Sequence, residues 1–223
     1  MTRTRPPLAV EILQRLERSY GKRPWRTYGP PLDLLVGTIL SQNTNDRNSG
    51  LAMERLTKAL PTWNQVADAS LAKIAAAIRP AGLHRQKAVT IRKALRTIRA
   101  DHGRLTLAFL RRWPTDRIRE YLAAMPGVGP KTVACTLLFS DLRRPVLPVD
   151  THVHRVSRRL GLIPAKAGAA QAHDLLAGLV PPKKVYAFHV LLIEHGRKTC
   201  HARRPECEHC DLFVLCPSRF EET

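Results

Sequence analysis

The sequence has few acidic and few aromatic side chains. Its 223 residues contain 18 aspartates and glutamates against 37 lysines and arginines, and 5% of the residues are aromatic. No stretch approaches the roughly 20 consecutive apolar residues of a membrane span, and charges interrupt the first residues, where a secretory signal would be apolar. These features argue against a membrane-spanning or secreted protein, and we expect a soluble, cytoplasmic one.

Cysteine is also scarce. The chain has five cysteines, an odd number that does not suit a disulfide framework. Four of them lie between Cys200 and Cys216, whereas Cys135 stands alone in an apolar run. The cluster indicates a metal site in a reducing compartment, and Cys135 is expected to be a buried core thiol.

Apolar residues recur with a helical period through nearly the whole chain, as in Leu8, Ile12 and Leu16. No segment alternates apolar and polar residues over the length of a strand. Proline and glycine pairs interrupt the pattern and divide it into about ten short helices. Because 44% of the residues are hydrophobic, the chain can bury a core, and we predict an all-α fold.

The net charge of +19 selects among partners. An excess of this size is attracted to polyanions, of which nucleic acid is the leading candidate. Binding to a membrane surface, or charge that serves only solubility, is also compatible with it. A choice between these possibilities has to come from motifs.

The first motif is Pro126-Gly127-Val128-Gly129-Pro130-Lys131, which lies between two helical patterns. We expect a helix-hairpin-helix, because the two glycines allow positive φ and a close backbone approach to a ligand. The next helix would direct its unpaired N–H groups outward, an arrangement suited to a DNA phosphate. An ordinary helix-helix turn is the alternative.

Lys131 falls in the first turn of the second of these helices. The helix dipole and other positive charges nearby disfavour a protonated amine there. A neutral lysine can attack an electrophilic carbon and form a Schiff base, which a protonated lysine cannot do. The simpler alternative is a lysine that contacts phosphate.

A second motif, Val149-Asp150-Thr151-His152, follows a segment bounded by prolines. Asp150 is placed as the N-cap of a helix. It is also one of the few acids in a basic neighbourhood, and cleavage of a glycosidic bond requires a carboxylate that faces the developing positive charge on the sugar. The capping and catalytic roles are compatible.

The clustered cysteines have the spacing Cys200-x6-Cys207-x2-Cys210-x5-Cys216. Four thiolates suit either tetrahedral zinc or a cubane iron-sulfur cluster. Spacing alone does not decide between the two.

Together, MPGVGPKTVA, VDTHVHRVSRRLGL and the cysteine block resemble the endonuclease III family of helix-hairpin-helix (HhH-GPD) DNA glycosylases. The resemblance extends from about residue 34 to 216. It implies a two-domain fold, with a six-helix domain at 31–147 and a helical domain with an iron-sulfur loop, formed by 1–30 and 148–223. It also implies that the four cysteines hold a structural [4Fe-4S] cluster.

The resemblance assigns the chemistry as well. Lys131 would attack C1′ of a damaged nucleotide, displace the base and allow β-elimination of the strand, while Asp150 assists the attack and stabilises the sugar cation. The implied partner is double-stranded DNA with a damaged base or an abasic site, bound by a monomer associated with the nucleoid. The backbone of Gly127, Val128 and Gly129 and the side chain of His152 would contact this DNA.

Such an enzyme has to flip its target base out of the duplex and fill the gap. The family's gap-filling glutamine aligns with Asn43, and Gln42 lies one position earlier, so this pair departs from the family pattern. Leu83 resembles the family's intercalating wedge and His84 its contact to the opposite strand, although Leu83 could instead be a core residue at a helix start. Asp46 is expected to cap a helix over 47–60.

Three arginine pairs are candidates for a phosphate track: Arg111-Arg112, Arg143-Arg144 and Arg158-Arg159. Overall, the sequence predicts a bifunctional glycosylase and AP lyase that removes oxidised pyrimidines. The alternatives are a monofunctional mismatch glycosylase, a lesion-binding module that does not cut, and a weakly active paralogue.

Overall fold

A computed structural model describes residues 7–220 of the chain. Within that range it contains eleven α-helices and no β-strand, which confirms the all-α prediction. The described chain forms two compact units: one consists of the residues up to Arg26 and from Pro145 onward, and the other of Thr27–Arg144. The second unit begins and ends a few residues before the expected limits of 31 and 147. No helix within the described range is long and apolar enough to cross a membrane.

The central unit, Thr27–Arg144, contains seven α-helices where six were expected. They are α2 (Pro31–Ser41), α3 (Asp46–Ala59), α4 (Trp63–Asp68), α5 (Leu71–Ala77), α6 (His84–His102), α7 (Thr115–Ala123) and α8 (Pro130–Phe139). Helices α4 and α5 are separate because the chain is extended at Ala69 and Ser70, and the Ser70 hydroxyl accepts from the Lys73 N–H and starts α5.

Helices α2 and α8 pack closely and form the middle of this unit's core. Leu35 and Ile39 of α2 and Leu137 of α8 are completely buried. Truncation of one such side chain to alanine typically costs about 2–5 kcal/mol. Both helices are therefore rigid supports for the loops at their ends.

The cap predicted for α3 is wrong by one residue. Asn45 is the N-cap, and its side-chain oxygen accepts from the Asn48 N–H at 2.9 Å, whereas Asp46 is already the first helical residue. The reason is geometric, since an N-cap has an extended backbone and reaches the amide three residues later, which Asn45 does. Asp46 lies in the first turn, where a carboxylate is favoured by the helix dipole.

The other unit contains α1 (Leu8–Tyr20), α9 (Thr151–Arg159), α10 (Ala169–Leu175) and α11 (Val185–Lys198). Helix α11 packs against α9 and α1, and its Phe188 is completely buried. Ile12 and Leu16 of α1 are buried as their helical spacing predicts. Between α11 and residue 220 the described chain contains short 3-10 turns and no α-helix, and the four clustered cysteines lie in this segment.

Candidate functional site

A tight hairpin joins α7 to α8 in the central unit. Gly127 has a φ of +80°, and a Cβ there would lie 2.7 Å from the Thr90 hydroxyl oxygen, so the position requires glycine. Gly129 is different from what the motif suggested, because its φ is −85° and the space that a Cβ would occupy is open. The side chain of Val128 is buried, and its backbone N–H donates to the Met125 carbonyl at 3.0 Å.

Lys131 is the second residue of α8 and is partly exposed. Its neighbour Thr132 is buried, which fixes the helix beneath it. Among residues 7–220 its ammonium has no hydrogen-bond or ion-pair partner. The amine is therefore available to an incoming group.

Gln42 and Asn43, at the end of α2, have different environments. The Gln42 side-chain amide donates to the Gly127 carbonyl and to the Thr132 hydroxyl, both at 3.1 Å. Asn43 is exposed and has a φ of +51°. Gln42 thus holds the hairpin, and Asn43 is the residue of the pair that is presented to solvent.

Leu83 precedes α6 and occupies its N-cap position with a φ of +44°. Its side chain is 51% exposed, so the alternative of a core leucine is wrong. His84, the first residue of α6, is partly exposed beside it. An exposed leucine on a left-handed backbone is unusual and suggests a role at a surface.

Lys87 is a residue that the sequence analysis missed. It is only 3% exposed, and its ammonium donates to the Leu40 carbonyl at 2.7 Å and to the Ala81 carbonyl at 2.8 Å. Burial lowers the pKa of this amine. The sequence did contain a signal, because Lys87 lies on the same face of α6 as the buried Ile91 and Ala94.

Asp150 lies in the other unit and is the N-cap of α9, as predicted. One carboxylate oxygen, Oδ1, accepts from the Val153 N–H at 2.7 Å. The carboxylate is partly exposed, and its second oxygen has no hydrogen-bond partner in the described part of the chain. The same side chain can therefore cap the helix and interact with a ligand.

His152 is held by an arginine of its own helix. Nη2 of Arg155 lies 3.1 Å from Nδ1 of His152 and donates to the carbonyls of Gly196, at 2.8 Å, and Cys200, at 2.9 Å. A Cβ at Gly196 would lie 3.1 Å from the His152 side chain, so a larger residue there would require His152 to shift by a few tenths of an ångström. Helix α9, which begins after Asp150, is in this way fixed to the start of the cysteine segment.

The four clustered cysteines line one cavity of about 40 Å³, which is also lined by Arg159 and His195. The pKa of Cys210 is raised to about 11, mainly because the thiol is buried and also because the other three thiols repel its negative charge. Nη1 of Arg159 donates to the Cys200 sulfur at 3.3 Å. The donor set is soft and all-sulfur, as zinc or an iron-sulfur cluster requires.

His195 is buried behind these sulfurs. Its Nε2 lies 3.7 Å from the Cys210 sulfur, and its Nδ1 lies 3.1 Å from the Tyr20 hydroxyl. Burial lowers the pKa of His195 to about 4, so the imidazole is neutral near pH 7.

Among the described residues, no group of three or more His, Cys, Asp or Glu side chains is arranged to hold a metal ion. Cys135 is separate from this cluster and is buried in α8, as predicted.

Each of the three arginine pairs contributes one residue to internal contacts. Arg111 pairs with the Asp141 carboxylate at 2.6 Å, Arg144 donates to the Arg111 and Trp113 carbonyls, and Arg159 contacts the cysteine segment. The other members, Arg112, Arg143 and Arg158, are exposed. Half of the expected phosphate track is therefore occupied by structural contacts.

Comparison with known proteins places these features in context. Residues 36–182 match the family model described as HhH-GPD superfamily base excision DNA repair protein. The chain is 37% identical, over 83% of its length, to an Arabidopsis thaliana protein provisionally named a DNA glycosylase, of which it spans 60%. It is 33% identical to endonuclease III of Thermotoga maritima, over 94% of this chain and 90% of that relative.

A solved structure of a trapped endonuclease III–DNA covalent intermediate is similar in fold. It superposes with a TM-score of 0.79 and 27% sequence identity, over 95% of this chain and 96% of the other. The similarity includes both units, since it extends over nearly the whole chain.

Proposed function

Because the chain belongs to the HhH-GPD superfamily of base excision DNA repair proteins, and within it to the endonuclease III-like glycosylases, we propose that it is a bifunctional glycosylase and AP lyase. Its proposed substrate is duplex DNA that contains an oxidised pyrimidine or an abasic site. The observation that carries this proposal is Lys131, an amine without a protein partner in the described chain, at the start of the second helix of a helix-hairpin-helix.

In the proposed reaction the Lys131 amine attacks C1′ of the damaged nucleotide. The C1′–Nζ bond forms as the glycosidic bond breaks, and the base leaves with the bonding electrons and takes up the proton that the nitrogen loses. The nitrogen lone pair then expels the ring oxygen O4′, which takes up a proton, and the open-chain sugar is left as a Schiff base on the lysine. Loss of a C2′ proton then expels the 3′ phosphate by β-elimination. Hydrolysis of the Schiff base returns the lysine.

Asp150 is proposed to assist this attack. A carboxylate beside the sugar stabilises the positive charge that develops at C1′ as the base departs. The proposal is supported by the oxygen that helix capping leaves without a partner. Its cap also holds the carboxylate in a fixed position at the start of α9.

The hairpin is the proposed anchor for the DNA backbone. Gly127 and Gly129 carry no side chains, and the first amides of α8 have no partner within the helix, so a phosphate can approach them closely. The exposed Arg112, Arg143 and Arg158 are candidates for further phosphate contacts. The net charge of +19 predicts that binding weakens steeply as salt increases.

Base flipping is assigned to two loops of the same unit. Asn43 is proposed to fill the gap left by the base, and Leu83 to wedge between base pairs with His84 on the opposite strand. Their exposure supports these roles. His152, held by Arg155, is a further proposed DNA contact on the helix that begins after Asp150.

Cys200, Cys207, Cys210 and Cys216 are proposed to hold a [4Fe-4S] cluster. The proposal is supported by the chemistry of the donor set: the four cysteines line one cavity and supply only soft sulfur ligands, and Arg159 and His195 beside them carry nitrogens that can face thiolate sulfur. When bound, the cluster would supply structural support to the segment that carries Arg203 and Arg204. Iron and sulfide analysis of the purified protein checks this, and stoichiometric zinc without sulfide would contradict it.

Borohydride trapping tests the main proposal. The protein is incubated with a duplex that contains one abasic site, and sodium borohydride reduces any Schiff base to a stable covalent band. We expect a band from the wild type and none from Lys131→Ala. Lys73→Ala is a matched control, because Lys73 is an exposed lysine in the first turn of α5. A trapped band that survives Lys131→Ala would refute the assigned nucleophile, and a folded wild type that gives no band would favour a monofunctional glycosylase.

We propose that the protein acts as a monomer on the DNA of the nucleoid, in the cytoplasm. Its large positive charge supports this by opposing self-association and favouring polyanions. Sedimentation of the free protein measures the oligomeric state.

A further inference from the structure

Two loops of the central unit meet at one buried side chain. Loop 42–45 follows α2, and loop 82–83 precedes α6. The Lys87 ammonium donates to the Leu40 carbonyl, just before the first loop, and to the Ala81 carbonyl, just before the second. Leu40 lies 47 residues before Lys87 and Ala81 lies 6 residues before it. One cation thus connects two segments that are about 40 residues apart in sequence.

Each loop contains a non-glycine residue in the left-handed region. Asn43 has a φ of +51° and Leu83 a φ of +44°. A bulky residue remains in this conformation only when the surrounding structure holds it there. The carbonyls bound by Lys87 lie within three residues of each, so the lysine fixes the backbone from which both exposed side chains project.

The environment of Lys87 makes these contacts strong. The side chain is 3% exposed, and water cannot readily replace the two carbonyls as partners. Hydrogen bonds from a charged donor are stronger in a poorly solvated site than in water. Removal of the donor would leave the buried carbonyls of Leu40 and Ala81 without this partner.

We propose, on the basis of the function proposed above, that Lys87 is a positioning residue that locks loop 42–45 and loop 82–83 into one rigid element. Asn43 and Leu83 would then enter the duplex together, so that filling the gap and wedging the opposite strand are a single event. Without this lock each loop would have to be ordered separately on the DNA.

The connection continues to the hairpin. Gln42 lies in the first loop and donates to the Gly127 carbonyl and the Thr132 hydroxyl. Thr132 follows Lys131 in α8. Loss of Lys87 should therefore lower the rate of base release through misplacement of the nucleotide more than it weakens binding to DNA.

The first test uses the protein without DNA. Amide hydrogen exchange is compared for the wild type, Lys87→Met and Lys93→Met, a control at an exposed lysine of the same helix. We expect exchange to accelerate about tenfold or more in both loops of Lys87→Met and to be unchanged in Lys93→Met. Acceleration in one loop only, in neither, or uniformly over the unit would overturn the proposal. If Lys87→Met does not fold, Lys87→Gln, whose shorter amide cannot span both carbonyls, replaces it.

The second test uses a duplex with a reduced abasic site beside 2-aminopurine, whose fluorescence rises when it is unstacked. At saturating protein, we expect the rise to be several-fold smaller for Lys87→Met than for the wild type. The affinity for an undamaged duplex should stay within about twofold, and Lys87→Arg should restore part of the rise. An unchanged rise, or parallel losses in fluorescence and undamaged-duplex affinity, would refute the positioning role. A wild type that gives no rise would refute the proposed function, while the exchange experiment still decides the role of Lys87.

Discussion

Lys131 and Lys87 are both near the start of a helix in the same unit, yet their surroundings are opposite. Lys131 is partly exposed and has no partner in the described chain, whereas Lys87 is buried and donates to two carbonyls. A lysine without partners has an amine that can react, while a lysine that donates to two carbonyls has its N–H protons and its position committed. The comparison shows that the identity of a residue does not define its role, and that its hydrogen-bond partners do.

The largest expected effect is that of Lys131→Arg. Arginine keeps the positive charge but cannot lose its proton, so it can contact phosphate and cannot act as an amine nucleophile. We expect strand cleavage at an abasic site to fall by about 10³-fold or more, with binding to undamaged duplex nearly unchanged. Single-turnover kinetics and a binding titration measure the two. If cleavage persisted, Lys131 would be a phosphate contact and the contrast with Lys87 would disappear.

In Asp150 a bound group and a free group belong to one side chain. One carboxylate oxygen accepts from the Val153 N–H as the helix cap, and the other has no partner in the described chain. Asp150→Asn keeps an N-cap acceptor but loses the charge. We expect base release to slow by about 10²-fold and thermal stability to change little. Asp150→Ala, which also loses the cap, should in addition destabilise the protein by about 1 kcal/mol. Equal stability losses in the two variants would show that the carboxylate is mainly structural.

Gly127→Ala tests the support beneath Lys131. The φ of +80° and the contact with Thr90 should together cost about 1–3 kcal/mol of unfolding free energy. Gly129→Ala is the control, because Gly129 has neither constraint. Denaturant unfolding of both variants measures the difference. A neutral Gly127→Ala would mean that the hairpin adjusts easily and does not hold Lys131 in place.

The smallest effect is expected in the pH dependence of stability at Lys87. Burial lowers the pKa of this amine in the folded protein, below the value of about 10.4 in an unfolded chain. Between these two values the unfolded chain binds more protons, so the unfolding free energy should rise with pH. Denaturant unfolding from pH 7 to 10 should show this rise relative to Lys87→Met. Parallel curves would mean that the ammonium is well solvated.

The sequence predicted the features that depend on local pattern. The all-α class, Asp150 as a cap and the burial of Cys135 all follow from periodicity, capping preference and local composition. Features that depend on tertiary contacts were missed or wrong. Lys87 is a buried donor because the carbonyls of Leu40 and Ala81, which are far apart in sequence, both lie within hydrogen-bond distance of its ammonium. The exposure of Leu83 depends on the conformation of the loop that contains it. The shift of the α3 cap from Asp46 to Asn45 shows that boundaries between two suitable residues are not fixed by propensity.

The unit that contains the cysteine segment is formed by two parts of the sequence, one before and one after the central unit. The Tyr20 hydroxyl bonds to Thr199 at 2.9 Å, and Arg23 pairs with Glu194 at 2.7 Å. During synthesis, the whole central unit emerges before Glu194 and Thr199 are made, so we expect it to fold while the chain grows. Helix α1 has to wait for nearly the entire polypeptide, and closing so long a loop slows that step. We therefore expect the hairpin with its lysine to form early and the first helix made to be among the last to be packed.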